Sequence, residues 1–283
     1  MRHERTNVAV QGRPLALHWV RAGVEGDPPL ILIHGMASSW RQWRTSIERL
    51  APELPLVAVD LPGFGDSGLA RRAMRVEEFA DALEGWCRTQ RWPRLAAIGH
   101  SFGGAVLIDW IARYPERFTT IGLMAPGAIF HPWYTSGYSI LRWPVLGRLM
   151  APGVIWAIST HTLGRRLFAH LLTDIRNVRR DEEGDLQWGC RRAREMLRAL
   201  DYYRFPTLEQ DLPRIRQSVF VGWGTADRVV PVEDALVFRR LVADCRATLW
   251  EGAGHLPFLE QREPCDAWIR TVWAEHRRVA AVQ

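Results

Sequence analysis

Residues 94–113 read RLAAIGHSFGGAVLIDWIAR, in which an apolar run, a serine turn and a helical pattern follow one another. The run from Arg94 to Gly99 predicts a buried strand, and Phe102 to Arg113 predicts a helix. Ser101 lies between them, at the centre of a G-x-S-x-G pattern. A turn this sharp strains the serine backbone, lifts the hydroxyl into the open and needs small residues two positions away on either side. The stretch therefore predicts a nucleophilic serine, which needs a base and an acid from elsewhere in the chain.

The same alternation of apolar runs and helical patterns extends to both sides of this unit, which is typical of an α/β fold with a mostly parallel sheet. We expect eight strands, of which the first two form a hairpin around Gln11-Gly12. The predicted strands are Val8–Val10, Leu15–Val20, Leu30–Ile33, Leu56–Val59, Leu95–Ile98, Ile121–Met124, Val219–Trp223 and Thr248–Trp250. The predicted helices are Trp40–Leu50, Val76–Gln90, Phe102–Arg113, Glu233–Val242 and Glu263–Arg277.

The alternation stops after Met124 and resumes near Val219. Residues 128–206 carry helical patterns and proline breakers instead, which predicts a helical cap inserted over the carboxyl edge of the sheet. Residues 1–127 and 207–283 then form the core domain. The large aromatic side chains of the cap favour an apolar substrate if they line a pocket, and otherwise form the cap's own core. They are Phe130, Trp133, Tyr134, Tyr138, Trp143, Trp156, Phe168 and Trp188.

Composition narrows the class of protein. With 283 residues, 47% of them hydrophobic, the chain can bury the core of one domain that carries an insertion. It contains no apolar stretch of about 18 residues and no secretory apolar region near its start, so we expect a cytoplasmic protein without a membrane span. No C-x-x-C pair occurs, so the cysteines are predicted to be reduced structural thiols rather than disulfides or zinc ligands. They are Cys87, Cys190, Cys245 and Cys265.

The net charge is +6, and the chain contains arginine but no lysine. The arginines concentrate in the predicted cap, where acidic residues interrupt them, and they form no single basic tract, so no nucleic-acid partner is expected. They form either a solvated helical face or a docking surface for an anionic substrate or for weak peripheral contact with an anionic membrane. They are Arg142, Arg148, Arg165, Arg166, Arg176, Arg179, Arg180, Arg191, Arg192, Arg194 and Arg198.

The best candidate for the base is His255. It lies in the glycine-rich run GAGHLP, residues 252–257, between the last predicted strand and the last helix. A flexible backbone there can bring an imidazole over the edge of the sheet. The other histidines lie near the chain ends, in an early strand or in the cap, and His100 is expected to point away from the serine hydroxyl.

The best candidate for the acid is Asp227, which follows the strand ending at Trp223. This position brings a carboxylate to the same sheet edge as the serine. The alternative position, after the strand ending at Met124, holds no carboxylate. Asp227 could instead stabilise a turn or cap the next helix.

Ser101, Asp227 and His255 follow the chain order of α/β-hydrolases, and the chain resembles the serine-nucleophile branch of that superfamily over nearly its whole length outside the cap. The motifs LIHGM at residues 32–36 and DLPGFGDS at residues 60–67 carry the resemblance as well. It implies the three side chains act as a catalytic triad.

The resemblance also implies an oxyanion hole formed by the backbone N–H groups of Met36 and Phe102. His34 is then a structural residue of the loop rather than an acid or base. Many relatives read His-Gly-x-Gly here, whereas this chain has Ala37 in place of the second glycine, so a different path for the loop is expected.

The function that the resemblance implies is a serine hydrolase that cleaves a carboxylic ester of an apolar small molecule through an acyl-enzyme. No cofactor and no metal is expected. A carbon–carbon bond hydrolase of a vinylogous keto acid, a lactonase or a perhydrolase would use the same triad, and these alternatives stay open. A non-catalytic binding protein of the same fold is disfavoured, because all three triad positions are present.

Residues 63–68, GFGDSG, also fit the dinucleotide-binding pattern G-x-G-x-x-G. In such a site the glycines open a helix directly, so that its N-terminus meets the pyrophosphate. Here the next helical pattern begins only near Val76, so no nicotinamide or flavin cofactor is expected.

Overall fold

A computed structural model describes residues 1–25, 28–129, 153, 172–173, 175–192 and 208–282. Most of the predicted cap therefore lies outside the described residues, and so do all of its aromatic residues except Trp188. The cap boundaries stay a prediction. The cap arginines outside the description are Arg142, Arg148, Arg165, Arg166, Arg194 and Arg198.

Eight strands form one sheet in the order β1-β2-β4-β3-β5-β6-β7-β8. β2 pairs antiparallel with both β1 and β4, and all other neighbours pair in parallel. This confirms the predicted α/β fold with a mostly parallel eight-stranded sheet. The strands are β1 (Arg2–Val10), β2 (Arg13–Ala22), β3 (Leu30–Ile33), β4 (Leu56–Val59), β5 (Leu95–His100), β6 (Phe118–Met124), β7 (Ser218–Gly224) and β8 (Cys245–Trp250).

The helices flank this sheet, and four short 3₁₀ turns occur among the described residues. The α-helices are α1 (Arg44–Leu50), α2 (Val76–Thr89), α3 (Phe102–Arg113), α4 (Arg180–Arg192), α5 (Asp234–Leu241), α6 (Pro257–Glu260) and α7 (Arg262–Ala280). The 3₁₀ turns are Trp40–Trp43, Pro115–Arg117, Ile175–Asn177 and Leu208–Arg214.

Several elements differ by a few residues from their predicted bounds, the opening hairpin and the first helix most. The opening hairpin extends beyond the apolar runs, and the first residues of β1 are polar and exposed or half-buried. Its two-residue turn has positive φ at both Gln11 (52°) and Gly12 (73°), a geometry that matches the twist of a hairpin. The predicted helix Trp40–Leu50 begins as a 3₁₀ turn, in which Ser39 Oγ accepts the N–H of Arg41.

The sheet is buried on both faces. In β3, Ile31 and Ile33 pack into one core cluster with α2 and α3, whereas Leu30 and Leu32 pack into the other with α1 and α7. All four side chains are fully buried, as expected for a parallel strand covered on two sides. The two cores fix the carboxyl ends of the strands at one edge.

Helix α4 lies against the start of α1 through charged contacts. Arg44 donates from Nε to Asp185 Oδ2 at 2.5 Å and from a terminal nitrogen to Asp181 Oδ2 at 2.7 Å. Arg262, at the start of α7, donates to Glu182 Oε2 at 2.6 Å. Carboxylates on α4 therefore fasten this part of the predicted cap to two helices of the core. None of the helices in the described ranges is long and apolar enough to cross a membrane.

Candidate active site

The residues predicted to carry the chemistry all follow the carboxyl ends of parallel strands. Ser101 follows β5, the loop with Met36 follows β3, Asp227 follows β7 and His255 follows β8. β3 pairs with β5, and β7 pairs with β8. The oxyanion loop is therefore next to the serine strand, and the acid strand is next to the histidine strand.

The serine turn has the strained backbone that its pattern predicts. Ser101 has φ 51° and ψ −114°, outside the regions that non-glycine residues favour, at a cost of about 1–3 kcal/mol. The neighbouring chain holds this conformation, because the N–H of Ser101 donates to the carbonyl of Met124 at 2.9 Å. The serine carbonyl accepts the N–H groups of Gly104 and Gly127 at 3.0 and 3.1 Å.

Close backbone packing around the serine explains the glycines of the motif. A Cβ atom on Gly99 would lie 2.4 Å from the carbonyl oxygen of Gly103. A Cβ on Gly103 would lie 2.5 Å from the carbonyl oxygen of His34. Since each clash would involve backbone rather than a side chain that can move, strand, helix and oxyanion loop approach this closely only with glycine at both positions.

Asp227 and His255 lie together. The Nδ1 atom of His255 is 2.8 Å from Asp227 Oδ2, and both side chains are buried. The other carboxylate oxygen of Asp227 accepts the N–H groups of Val229 and Val230 at 2.7 and 3.0 Å. Because a carboxylate oxygen only accepts hydrogen bonds, Nδ1 of His255 is the donor in this contact, and Nε2 is the nitrogen left for the predicted role as a base.

Backbone contacts hold the histidine loop. The Nε2–H of His100 donates to the carbonyl of His255 at 2.9 Å, and the two rings lie 4.8 Å apart. Burial lowers the pKa of His100 well below its usual value, so this ring is neutral. His100 therefore points toward the histidine loop, and it supports the base from the position next to the serine.

The structure thus pairs the predicted base with the predicted acid, and Ser101 is adjacent to His100, which contacts His255. Within the described residues Ser101 Oγ makes no hydrogen bond. The hydrogen bond from Ser101 to His255 belongs to the mechanism proposed below, since catalytic hydrogen bonds are often long in free enzymes and shorten when substrate binds.

The loop after β3 packs against the serine. A Cβ on Gly35 would lie 3.3 Å from the Cβ of Ser101 and 2.8 Å from Nδ1 of His100. The N–H of Gly35 is taken by Gln42 Oε1 at 3.1 Å, whereas no described residue accepts the N–H of Met36. The oxyanion-hole role of the Met36 N–H stays a prediction.

Comparison with known proteins agrees with this arrangement. The model of the alpha/beta hydrolase family matches residues 30–268. The chain belongs to the alpha/beta hydrolase family. Its serine turn, its acid and its histidine loop all lie within the matched residues.

The relatives of this chain carry the names of different hydrolases. This chain is 25% identical to the 2-hydroxy-6-oxononadienedioate/2-hydroxy-6-oxononatrienedioate hydrolase of Escherichia coli K12, over 94% of this chain and 92% of that protein. It is 25% identical to a 2-hydroxy-6-oxo-2,4-heptadienoate hydrolase of Pseudomonas putida, over 87% of each chain. A thermophilic esterase from Thermogutta terrifontis has a similar structure, with a TM-score of 0.80 and 24% identity, covering 96% of this chain and 99% of that one.

The sequence assigned Asp60 no role of its own, yet this buried carboxylate joins the segment after the loop of Met36 to β2 and to the turn at residues 63–68. Its Oδ1 accepts the N–H of Trp40 at 2.7 Å, just after the oxyanion loop. Its Oδ2 accepts from His18 Nδ1 at 2.7 Å and from the N–H of Asp66 at 2.9 Å. Gly65 must be glycine, because its φ is 51° and a Cβ there would lie 2.2 Å from the carboxylate.

His18, Asp60 and Asp66 are also the group of described residues that could offer three ligand atoms to a metal, within 4.8 Å of one another. The carboxylate of Asp60 already accepts three N–H groups, and Arg192 lies 3.7 Å from Asp66. These contacts fit a structural centre better than a cation site.

The pattern G-x-G-x-x-G at residues 63–68 forms a closed turn. The N–H of Gly63 donates to the carbonyl of Gly68 at 2.7 Å. The next helix, α2, begins at Val76, so these glycines do not open a helix that could receive a pyrophosphate. The turn belongs to the Asp60 centre.

Ala37 has φ 54°, the left-handed conformation that glycine favours. A second glycine would adopt this backbone conformation without strain. Alanine adopts it at a cost of about 1–2 kcal/mol. The different loop path expected from the sequence is therefore not required to accommodate the alanine.

We predict that Ala37→Gly increases the free energy of unfolding by about 0.5–1 kcal/mol, because relief of the left-handed strain exceeds the added entropy of the unfolded chain. Urea unfolding measures the change. The matched control is Ala243→Gly, at an exposed position outside the left-handed region, where the same substitution should destabilise. Equal destabilisation by both substitutions would contradict the strain at Ala37.

Proposed function

We propose that this hydrolase cleaves carboxylic esters of apolar small molecules through an acyl-enzyme formed on Ser101. The observation that supports it most directly is the buried pair of His255 and Asp227, joined from Nδ1 to Oδ2, at the sheet edge that carries the strained serine. A serine hydroxyl is a poor nucleophile near neutral pH, and such a pair is what activates it.

In the proposed cycle, Ser101 Oγ attacks the acyl carbon while Nε2 of His255 takes the hydroxyl proton. The oxyanion accepts hydrogen bonds from the N–H groups of Met36 and Phe102, and each such donor contributes roughly 3–4 kcal/mol where it has been tested. The tetrahedral intermediate then expels the alcohol, which receives the proton from His255. Water, deprotonated by the same nitrogen, attacks the acyl carbon; the bond to Ser101 Oγ then breaks, Ser101 takes back the proton from His255 and the acid is released. Asp227 fixes the tautomer and stabilises the imidazolium.

Half-buried apolar side chains favour an apolar acyl group. Met36 follows β3, Ile129 follows β6 and Val230 follows β7, and each packs against the core while part of its surface stays exposed. Three loops that follow strands of the carboxyl edge thus each carry a partly exposed apolar side chain. Ligand sites are mostly lined by such side chains. We propose that residues 128–206 form a cap over this surface.

We predict that Ser101→Ala lowers kcat for a short p-nitrophenyl ester by about 10⁴-fold or more, and that Asp227→Asn lowers it by about 10³–10⁴-fold through the wrong histidine tautomer. Steady-state kinetics and circular dichroism on each variant test this. The matched control for the acid is Asp81→Asn on the exposed surface of α2, which should keep wild-type kinetics. If Ser101→Ala keeps its activity, Ser101 is not the nucleophile and the proposed mechanism is wrong.

A carbon–carbon bond hydrolase of a vinylogous keto acid is the second candidate, because two relatives at 25% identity carry names of that kind. The triad chemistry allows both reactions, as well as lactone opening and perhydrolysis. We expect the highest kcat/KM on esters with an apolar acyl group in a panel that also contains lactones and a keto-acid substrate. Turnover of the keto acid, with none of the esters, would contradict the ester assignment and support the carbon–carbon bond hydrolase.

We also propose a cytoplasmic location, because all four cysteines are free and burial raises their thiol pKa values, to about 11 for Cys245 and about 12 for Cys190. A further proposal is that the arginines in and directly before α4 make weak contact with an anionic membrane. Arg179, directly before α4, pairs with Asp181 on that helix, which favours the solvated-face interpretation. Cell fractionation, and flotation with anionic vesicles at low and high salt, test both proposals.

A further inference from the structure

The carboxylate of Glu260, the last residue of α6, joins the histidine loop to a segment of the predicted cap. Its Oε2 atom accepts the N–H of Gly254 at 2.7 Å. Its Oε1 atom accepts the N–H of Thr173 at 2.7 Å and lies 2.6 Å from the Thr173 hydroxyl. One side chain thus binds the residue before His255 with one oxygen and a residue outside the core domain with the other.

The histidine loop depends on such contacts, because the glycines on either side of Ala253 have no side chains to pack. The N–H of Gly252 donates to Thr225 Oγ1 at 2.8 Å, and the carbonyl of His255 accepts from His100. Gly254 is the residue directly before the base, and its N–H goes to Glu260. The same Thr173 hydroxyl lies 2.8 Å from the carbonyl of Gly252, so Thr173 contacts the loop at a second point.

Further contacts fix the segment that carries Thr173. Leu172 is buried in the core cluster that contains Leu256 and Phe258, the neighbours of the histidine. Arg262, two residues after Glu260, pairs with Glu182 on α4 and donates to the carbonyl of Asn177. Residues 172–173 and 175–192 are therefore anchored beside the loop at several places, and Glu260 is the side chain that joins Thr173 to the backbone N–H next to His255.

We propose that Glu260 is a positioning residue for the base. Through Gly254 it sets the position of His255, and through Thr173 it makes this position depend on the segment that carries Thr173. The inference rests on the proposed function of His255. A carboxylate suits this role because it has two oxygens that both accept hydrogen bonds, and both oxygens meet a backbone N–H here. Small displacements of a catalytic group cost rate, since a shift of about 1 Å can lower it about 100-fold.

The amide of glutamine tests the role with almost no change of shape. Glutamine has one oxygen and one NH₂ group, so in Glu260→Gln one of the two backbone N–H groups meets a donor instead of an acceptor. We expect kcat for a p-nitrophenyl ester to fall about 10-fold per active site while KM stays within about twofold. Active sites are counted by the p-nitrophenol burst or by fluorophosphonate titration, so a merely lower folded fraction leaves kcat per site unchanged.

Thr173 supplies a second, independent test. Thr173→Val removes the hydroxyl donor but keeps the backbone N–H, and we expect kcat to fall about threefold at an unchanged melting temperature. Thr173→Ser keeps the donor and should recover most of that rate. The matched control is Glu263→Gln, the same substitution at an exposed position in α7, which should keep wild-type kinetics.

The outcomes separate this inference from the proposed function. A wild-type protein without esterase turnover or fluorophosphonate labelling contradicts the proposed function itself. An active wild type in which Glu260→Gln keeps its kcat per site contradicts the positioning role and leaves the triad intact. If Glu260→Gln does not fold, Thr173→Val decides, and an unchanged kcat in that variant overturns the role.

Discussion

The hydrogen bond between Nδ1 of His255 and the buried carboxylate of Asp227 is the contact on which the proposed chemistry depends. It holds the proton on one ring nitrogen and leaves the other to act as a base. The parallel pairing of β7 with β8 brings the two residues together, although they are 28 positions apart in the chain. The acid is in turn fixed by two backbone N–H groups, so sheet geometry determines the orientation of the base.

Much of the site could be predicted from the sequence because its signals are local. The run before Ser101 is apolar enough to indicate a strand covered on both faces, and the glycines around the serine have no other explanation than close packing. The positions of Asp227 and His255 after late strands indicated the same edge of the sheet. These inferences needed only periodicity, turn chemistry and the rule that parallel strands end together.

The supporting contacts could not be predicted in the same way. Asp60 meets His18 and Trp40, and Glu260 meets Thr173, across separations of 20 to 87 residues. No periodicity records such pairs, and an acidic residue in a loop is usually a solvated one. His100 was expected to point away from the serine hydroxyl, but only the fold reveals that it donates to the carbonyl of His255. The length of the first hairpin was missed for a simpler reason, since its outer half is polar.

The most direct test of the central claim is to find where a fluorophosphonate attaches. Trypsin releases residues 95–113 as one peptide, in which Ser101 is the only hydroxyl-bearing residue. The account predicts that mass spectrometry finds a single adduct, on this peptide, and that labelling is much slower in His255→Ala. A folded protein that forms no adduct, or one that carries it on another peptide, would contradict the assignment of Ser101 as the nucleophile.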